Sequence, residues 1–297
     1  MRACIVGIAG LVAGALSVAA AAQPVDPEAL RRGEYLFNIG GCAGCHTDVK
    51  NKGPLLGGGR ALKTPFGTFY GPNITADPQY GIGRWSDADF IRAMREGIRA
   101  DGAYLFPVFP YTSFTRITDA DLRDLKAYIF SLPPVVQPSR PHEVSFPFRW
   151  RFLQIGWRWL NFARGPFVAD PERPAELNRG AYLVQALGHC GECHTPRNLI
   201  GGLRSSMVYA GTRDGPEGER VPNITTDRET GIGKWSDADL GDLLKTGMTP
   251  DGDFVGSAMA EVVNNSTGKL NDADIKAVIA YLRSLPSIVN DLRRKPR

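Results

Sequence analysis

Beyond residue 22 the chain has no long apolar run, so no second stretch is a candidate to cross a bilayer. Cysteine is scarce. Of five, four lie inside two short motifs and the fifth, Cys4, sits near the start. None is left over for a disulfide framework. Segments that alternate with a period of two are few, which predicts little strand. The formal net charge of +4 is too small to argue for a nucleic-acid partner. No Ser/His/Asp arrangement suggests a nucleophile, and no catalytic acid–base residue is assigned. Composition is that of an ordinary globular protein of about two domains.

What is present begins with Met1-Arg2 and the apolar run Ala3 to Ala22. This reads as a secretory signal peptide over residues 1–22, cleaved before Gln23 and taking Cys4 with it. The competing reading is an uncleaved anchor. Export predicts a periplasmic location.

The four remaining cysteines fall in Cys42-Ala43-Gly44-Cys45-His46 and Cys190-Gly191-Glu192-Cys193-His194. Both read C-x-x-C-H, the attachment sequence for c-type haem. Two thiols add across the two vinyl groups of one porphyrin, and the histidine that follows donates an imidazole nitrogen to the iron. Two copies therefore predict two covalently bound haem c groups, held by Cys42, Cys45, Cys190 and Cys193 with His46 and His194 as iron ligands. Haem propionates would offset the small positive charge.

The motifs belong to a tandem repeat. Arg32-Gly33-Glu34-Tyr35-Leu36 and Arg179-Gly180-Ala181-Tyr182-Leu183 lead into them on a helix, each Tyr-Leu pair expected to face the interior. Pro72-Asn73-Ile74-Thr75 matches Pro222-Asn223-Ile224-Thr225, and Gly81 to Asp89 matches Gly231 to Asp239. Ser86…Asp89 and Ser236…Asp239 are capping boxes for a second helix. Thr118…Asp121 and Asn271…Asp274 open a third, with apolar faces of Leu122, Leu125, Ile129 and of Ile275, Val278, Ile279, Leu282, stopping at Leu132-Pro133 and Leu285-Pro286. Trp85 and Trp235 are candidates to pack beside the haem edge or in the core. Prolines soon after each motif, Pro54 and Pro196, are candidates to set a carbonyl against the second nitrogen of His46 and His194. The domains are then 23–133 and 174–297, with a linker at 134–173.

The linker interleaves arginines with large aromatics from Phe146 to Leu160. It suits a partner or membrane surface. The favoured reading is that it packs back between the domains with its arginines facing water or propionates.

The copies differ at the sixth ligand. A distal methionine gives an iron His/Met ligation suited to electron transfer. In the second repeat Met259 occupies the distal loop, ahead of Met248 and Met207. An offset of 150 maps Met259 onto Phe109. Met94 maps onto Leu244 within a helix and is expected in the core. The first haem is therefore five-coordinate under Phe109, or takes His142 from the linker, or takes a lysine or tyrosine. His189, just before Cys190, is expected to be structural.

With the Arg179–Leu183 lead-in, Gly188-His189-Cys190 through Asn198, Pro72-Asn73-Ile74-Thr75 and Met259-Ala260-Glu261-Val262-Val263 in view, the sequence resembles the dihaem or trihaem cytochrome c subunits of bacterial membrane-associated alcohol, gluconate and aldehyde dehydrogenases. The resemblance covers nearly the whole chain after the signal. It implies an all-α fold of two tandem class I cytochrome c-type haem domains with little strand, His46 and His194 as proximal ligands and Met259 as distal ligand. It implies an electron-transfer subunit. The donor would be a dehydrogenase carrying flavin, molybdenum or quinone cofactor. The acceptor would be a small cytochrome, an oxidase or quinone, with peripheral membrane association. The third C-x-x-C-H of trihaem members is missing, and many relatives have methionine where Phe109 stands. That second departure keeps an alternative: a dihaem redox enzyme, peroxidase-like or thiosulfate-oxidising, working at an open first haem. A haem-based gas sensor is a third, weaker reading.

Overall fold

The computed structural model describes residues 26–293. The expected signal peptide, Cys4 and the last basic residues, 294–297, lie outside the described residues.

The first half opens with α1 (Pro27–Ile39), whose first turn is capped by the Asp26 carboxylate accepting from the Glu28 amide at 3.0 Å. A short α2 (Cys42–His46) carries the first motif. A hairpin of β1 (Ala61–Thr64) and β2 (Gly67–Tyr70) follows, with Ala61 opposite Tyr70. Then come α3 (Asp87–Glu96), α4 (Tyr111–Phe114) and α5 (Asp119–Ser131). Both halves of the Ser86/Asp89 capping box are formed, and the Thr118 hydroxyl caps α5. The linker supplies β3 (Glu143–Val144), which completes a β1-β2-β3 antiparallel sheet, and α6 (Leu153–Asn161).

The second half restates the plan as α7 (Ala175–Tyr182), which runs into a π-helical turn over Leu183–Leu187, then α8 (Gly191–His194), α9 (Asp237–Thr246), α10 (Ser257–Asn265) and α11 (Asp272–Arg283). Ser236/Asp239 and Asn271/Asp274 cap as expected. The apolar stripes of α5 and α11 are buried, and the helices end just before Leu132-Pro133 and Leu285-Pro286. The all-α expectation therefore holds, with one small sheet added.

In each half the first helix crosses the last at a glycine. A Cβ on Gly33 would lie 2.1 Å from the Asp124 carbonyl oxygen, and one on Gly180 would lie 1.9 Å from that of Ala277. Backbone meets backbone there, which is why both lead-ins contain Arg-Gly.

The halves share one continuous apolar core and meet by exchange. Tyr35 of α1 donates to the Asp274 carboxylate of α11 at 2.6 Å, and its oxygen accepts from the Asn271 amide at 3.3 Å. Tyr182 of α7 donates to Asp121 of α5, and its oxygen accepts from the Thr118 amide at 3.2 Å. Tyr35 is the counterpart of Tyr182, and Asp274 of Asp121, so the contact is pseudo-two-fold. The tyrosines thus face inward as expected, but into the other domain.

The linker leaves Arg149 facing water as expected but corrects the expectation for Arg151 and Arg158. It docks, but with its polarity inverted. Arg158 reaches in to the Glu96 carbonyl and lies over the Tyr104, Tyr111 and Phe162 rings, and Arg151 stacks over Phe106 at 4.5 Å. Trp157 donates to the Ile200 carbonyl of the second half at 2.8 Å. Phe146, Phe152, Ile155 and Leu160 stay exposed, and Trp159 is 85% exposed. Guanidinium groups find aromatic faces and carbonyls inside, so no acidic partner is needed there.

Candidate functional site

The first motif is presented by a tight turn. Gly41 adopts φ +61°, turning the chain from α1 into α2 so that Cys42, Cys45 and His46 sit on one short helix. His189 takes the corresponding place before Cys190 with φ +37°. It is held edge-on to Phe114 of the first domain, ring centroids 5.3 Å apart. None of the four cysteines is tied up in a disulfide. Burial pushes the Cys42 and Cys190 thiols up to about 12.

Each histidine is aimed by a carbonyl. His46 Nδ1 lies 2.8 Å from the Pro72 oxygen and His194 Nδ1 lies 2.8 Å from the Pro222 oxygen. A carbonyl only accepts, so Nδ1 carries the proton and Nε2 is left with its lone pair. Burial lowers the pKa of both rings, against the pull of the carbonyls, and keeps them neutral. This is the tautomer an iron ligand needs. The proline is therefore not Pro54 or Pro196, as proximity in sequence suggested, but Pro72 and Pro222, 26 and 28 residues after the histidines.

The literal repeat explains itself at this point. The Asn73 carbonyl oxygen accepts from the Thr75 amide and hydroxyl, while its amide donates to the Val135 and Gln137 carbonyls. Asn223 does the same with Thr225 and the Ile288 carbonyl. Each Pro-Asn-Ile-Thr thus clamps the proline carbonyl to the chain that follows the last helix. Thr47 and Thr195, one past each motif, accept from the amides of Leu56 and Tyr209. Those two residues are buried with φ near +60°.

The second motif is held against the first half. Glu192, at a variable position of the second motif, accepts from Thr112 at 2.6 Å and Ser113 at 3.0 Å of α4 and pairs with Arg197 at 2.6 Å. Arg60 reaches Glu261 of α10 at 2.7 Å. Nothing in the sequence marked Glu192 for this role, because its partners lie about eighty residues away.

Met259 lies on α10, half-buried. Trp85 and Trp235 are partly buried against the core. Among the described residues no group of three or more His, Cys, Asp or Glu side chains is placed to hold a metal ion. Free paired thiols beside a neutral imidazole with an open Nε2 fit covalent haem. When bound, haem supplies a one-electron iron couple.

A cytochrome c family model matches residues 30–133 and 177–286. The chain belongs to the cytochrome c family. Among relatives of this cytochrome, a dihaem cytochrome c-type protein of Cereibacter sphaeroides is 43% identical over 262 residues, covering 86% of each chain. The fructose dehydrogenase cytochrome subunit of Gluconobacter japonicus is 42% identical over 90% of this chain and 56% of its own length. The gluconate 2-dehydrogenase cytochrome c subunit of Pantoea cypripedii is 38% identical over 94% of this chain and 64% of its own length. The cytochrome thus spans less than two thirds of either dehydrogenase subunit. Two matched domains and a dihaem relative assign two covalently bound haem c groups to this cytochrome.

Proposed function

We propose that this chain is a periplasmic electron-transfer subunit that relays electrons from a partner dehydrogenase to the respiratory chain. Cys42, Cys45 and His46 hold the first haem, and Cys190, Cys193 and His194 the second, with Met259 as the second iron's distal ligand. The partner carries a flavin, molybdenum or quinone cofactor, and a small cytochrome, an oxidase or quinone accepts the electrons. Relatives named as dehydrogenase cytochrome subunits support the partner. The Met1–Ala22 stretch supports export. Among the described residues no helix is long and apolar enough to cross a membrane, and the exposed apolar row of the linker supports peripheral attachment to one.

The observation that carries the reading is a pair of C-x-x-C-H motifs, each with its histidine aimed by a carbonyl, in two halves that share one apolar core and are tied by Glu192 and Arg60. The chain's residues hold two redox groups near each other and tune them by ligand, hydrogen bond and burial, leaving substrate chemistry to a partner. The test is to purify the tagged, haem-loaded chain from its own host's membranes. A dehydrogenase should come with it and reduce its haems when a sugar, alcohol or aldehyde substrate is added. A chain that comes alone and by itself turns over peroxide or thiosulfate refutes the relay. Osmotic-shock fractionation checks the location.

A further inference from the structure

We propose that the iron of the first haem takes its sixth ligand from solution, and that this open position accepts neutral diatomic molecules such as carbon monoxide, nitric oxide or oxygen. The inference rests on the reading that a haem is attached at each motif.

The distal segments of the two halves keep one register as far as Leu105 and Val255. Gly97 and Gly247 end α3 and α9 in the left-handed conformation, with N–H bonds to Ala93 and Leu243. The Arg99 amide donates to the Ala103 carbonyl at 2.9 Å, as Thr249 does to Asp253 at 2.8 Å. Gly102 and Gly252 turn at φ +81° and +82°. The Leu105 amide donates to Gly97 at 2.7 Å, as Val255 does to Gly247 at 2.9 Å. Four residues later stand Phe109 and Met259. Beyond that point the halves differ: Met259 lies on α10, whereas Phe109 precedes the shorter α4, and Asn271 follows Thr118 by 153 residues rather than 150.

The methionine and histidine alternatives in the first half are each held elsewhere. Residues 98–117 contain no Met, His, Lys or Cys. Met94 is buried on the inner face of α3, in the apolar core. His142 is set against ligation by its hydrogen bond. Its Nδ1 accepts from the Tyr70 amide at 3.1 Å, so Nδ1 holds the lone pair and Nε2 holds the proton. That is the reverse of the tautomer found at His46 and His194. Its ring is fixed between Phe69 and Phe106, centroids 5.3 and 5.8 Å away. Tyr111 packs its buried ring on Gly97, Trp157 and Phe162, and Tyr104 lies under Arg158. Lys126 pairs with Asp87 at 2.6 Å.

What stands at the ligand position is apolar. Phe109 meets Phe114 edge-on at 5.5 Å, and Phe106 meets Phe69 at 5.2 Å. A phenyl group donates nothing to iron. Phenyl rings return none of the hydration that an anion loses on entry, and the Arg151 guanidinium is committed to the Phe106 ring and the Tyr104 carbonyl, whereas a neutral diatomic loses little. Distal polarity and access decide what a haem binds.

The test uses the full haem-loaded chain. A pyridine haemochrome count of two haems per chain comes first, because a lower count faults attachment rather than this inference. Carbon monoxide added to the dithionite-reduced protein should then shift the Soret band of half the haem. Electron paramagnetic resonance of the oxidised protein should give one high-spin and one low-spin ferric centre. Two haems with no carbon monoxide shift and two low-spin signals overturn the proposal. Phe109→Met should abolish carbon monoxide binding and make the high-spin centre low-spin, and an unchanged carbon monoxide spectrum in that variant overturns it too. If Phe109→Met does not fold, wild-type binding of carbon monoxide against cyanide still decides. Cyanide taken up as readily as carbon monoxide overturns the neutral-ligand claim.

Discussion

Replacing Gly180 and Gly241 by alanine, one at a time, sets two physical effects against each other. Both glycines lie in helix interiors, where glycine costs about 0.5–1 kcal/mol relative to alanine. Propensity alone therefore predicts that both substitutions stabilise. Space separates them. A Cβ on Gly241 meets nothing within 4 Å, whereas one on Gly180 lies 1.9 Å from the Ala277 oxygen and 2.6 Å from its carbon. Ordinary contact begins at 3.4 Å, so α7 and α11 must part by about 1.5 Å. Such overpacking costs about 1–3 kcal/mol, and here backbone rather than a flexible side chain has to move. Gly241→Ala should gain about 0.5–1 kcal/mol, and Gly180→Ala should lose about 1 kcal/mol net. Guanidinium denaturation of the haem-loaded chain, followed by far-ultraviolet circular dichroism, measures both. A Gly180→Ala protein as stable as the wild type refutes the claim that this crossing depends on backbone contact.

The remaining predictions concern the clamps, the interface and the second iron. Asn223→Ala removes the tie between the Pro222 loop and Ile288 and leaves the buried Thr225 amide unpaired. It should cost about 3 kcal/mol, and the reduction potential of the second haem should move in a spectroelectrochemical titration while the first stays put. Tyr35→Phe and Tyr182→Phe each delete a hydrogen bond to a carboxylate across the interface and should cost about 2 kcal/mol, with losses that add in the double variant on the same denaturation curves. Burial works to raise the Asp274 carboxyl, but hydrogen bonds from Arg179 and Tyr35 outweigh it and hold it below the usual range. Its stabilisation is therefore complete above about pH 4 and lost as pH falls through the lowered value. Denaturation midpoints of Asp274→Asn should be lower than wild type near neutrality and converge with it in acid. Met259→Leu should leave the second iron without its thioether, lower that haem's potential, and open it to carbon monoxide.

The parts that could be read from the sequence were local or repeated. Capping boxes depend on residues three apart, and the helix stops depend on a proline, so both appeared where expected. The C-x-x-C-H motifs needed only spacing. The proline that aims each histidine was misplaced because the chain returns to the ring only after a loop, and nearness in sequence pointed to Pro54 and Pro196. The signal was present even so: Pro72 and Pro222 are the prolines that the repeat preserves together with Asn and Thr. The β1–β2 hairpin left a trace in Thr64-Pro65-Phe66-Gly67, where Gly67 takes φ +130°. Glu192 left none. Its role depends on Thr112 and Ser113, and no local pattern relates them. The inverted linker helix was hidden for a related reason, since arginine reads as a surface residue until aromatic faces and carbonyls are brought to meet it.

The reciprocal contact of Tyr35 with Asp274 and Tyr182 with Asp121 is what a symmetric dimer makes, where residue i meets j and j meets i. Here the two halves of such a pair are written into one chain. In a dimer of identical chains any substitution falls on both copies at once, so losing an iron ligand would strip both haems together. Concatenation removes that constraint. Phe109 can stand opposite Met259, and His189 opposite Gly41, each altering one centre while the shared face keeps the pair in place. The fold thus holds two unequal redox groups in a frame built for equal ones.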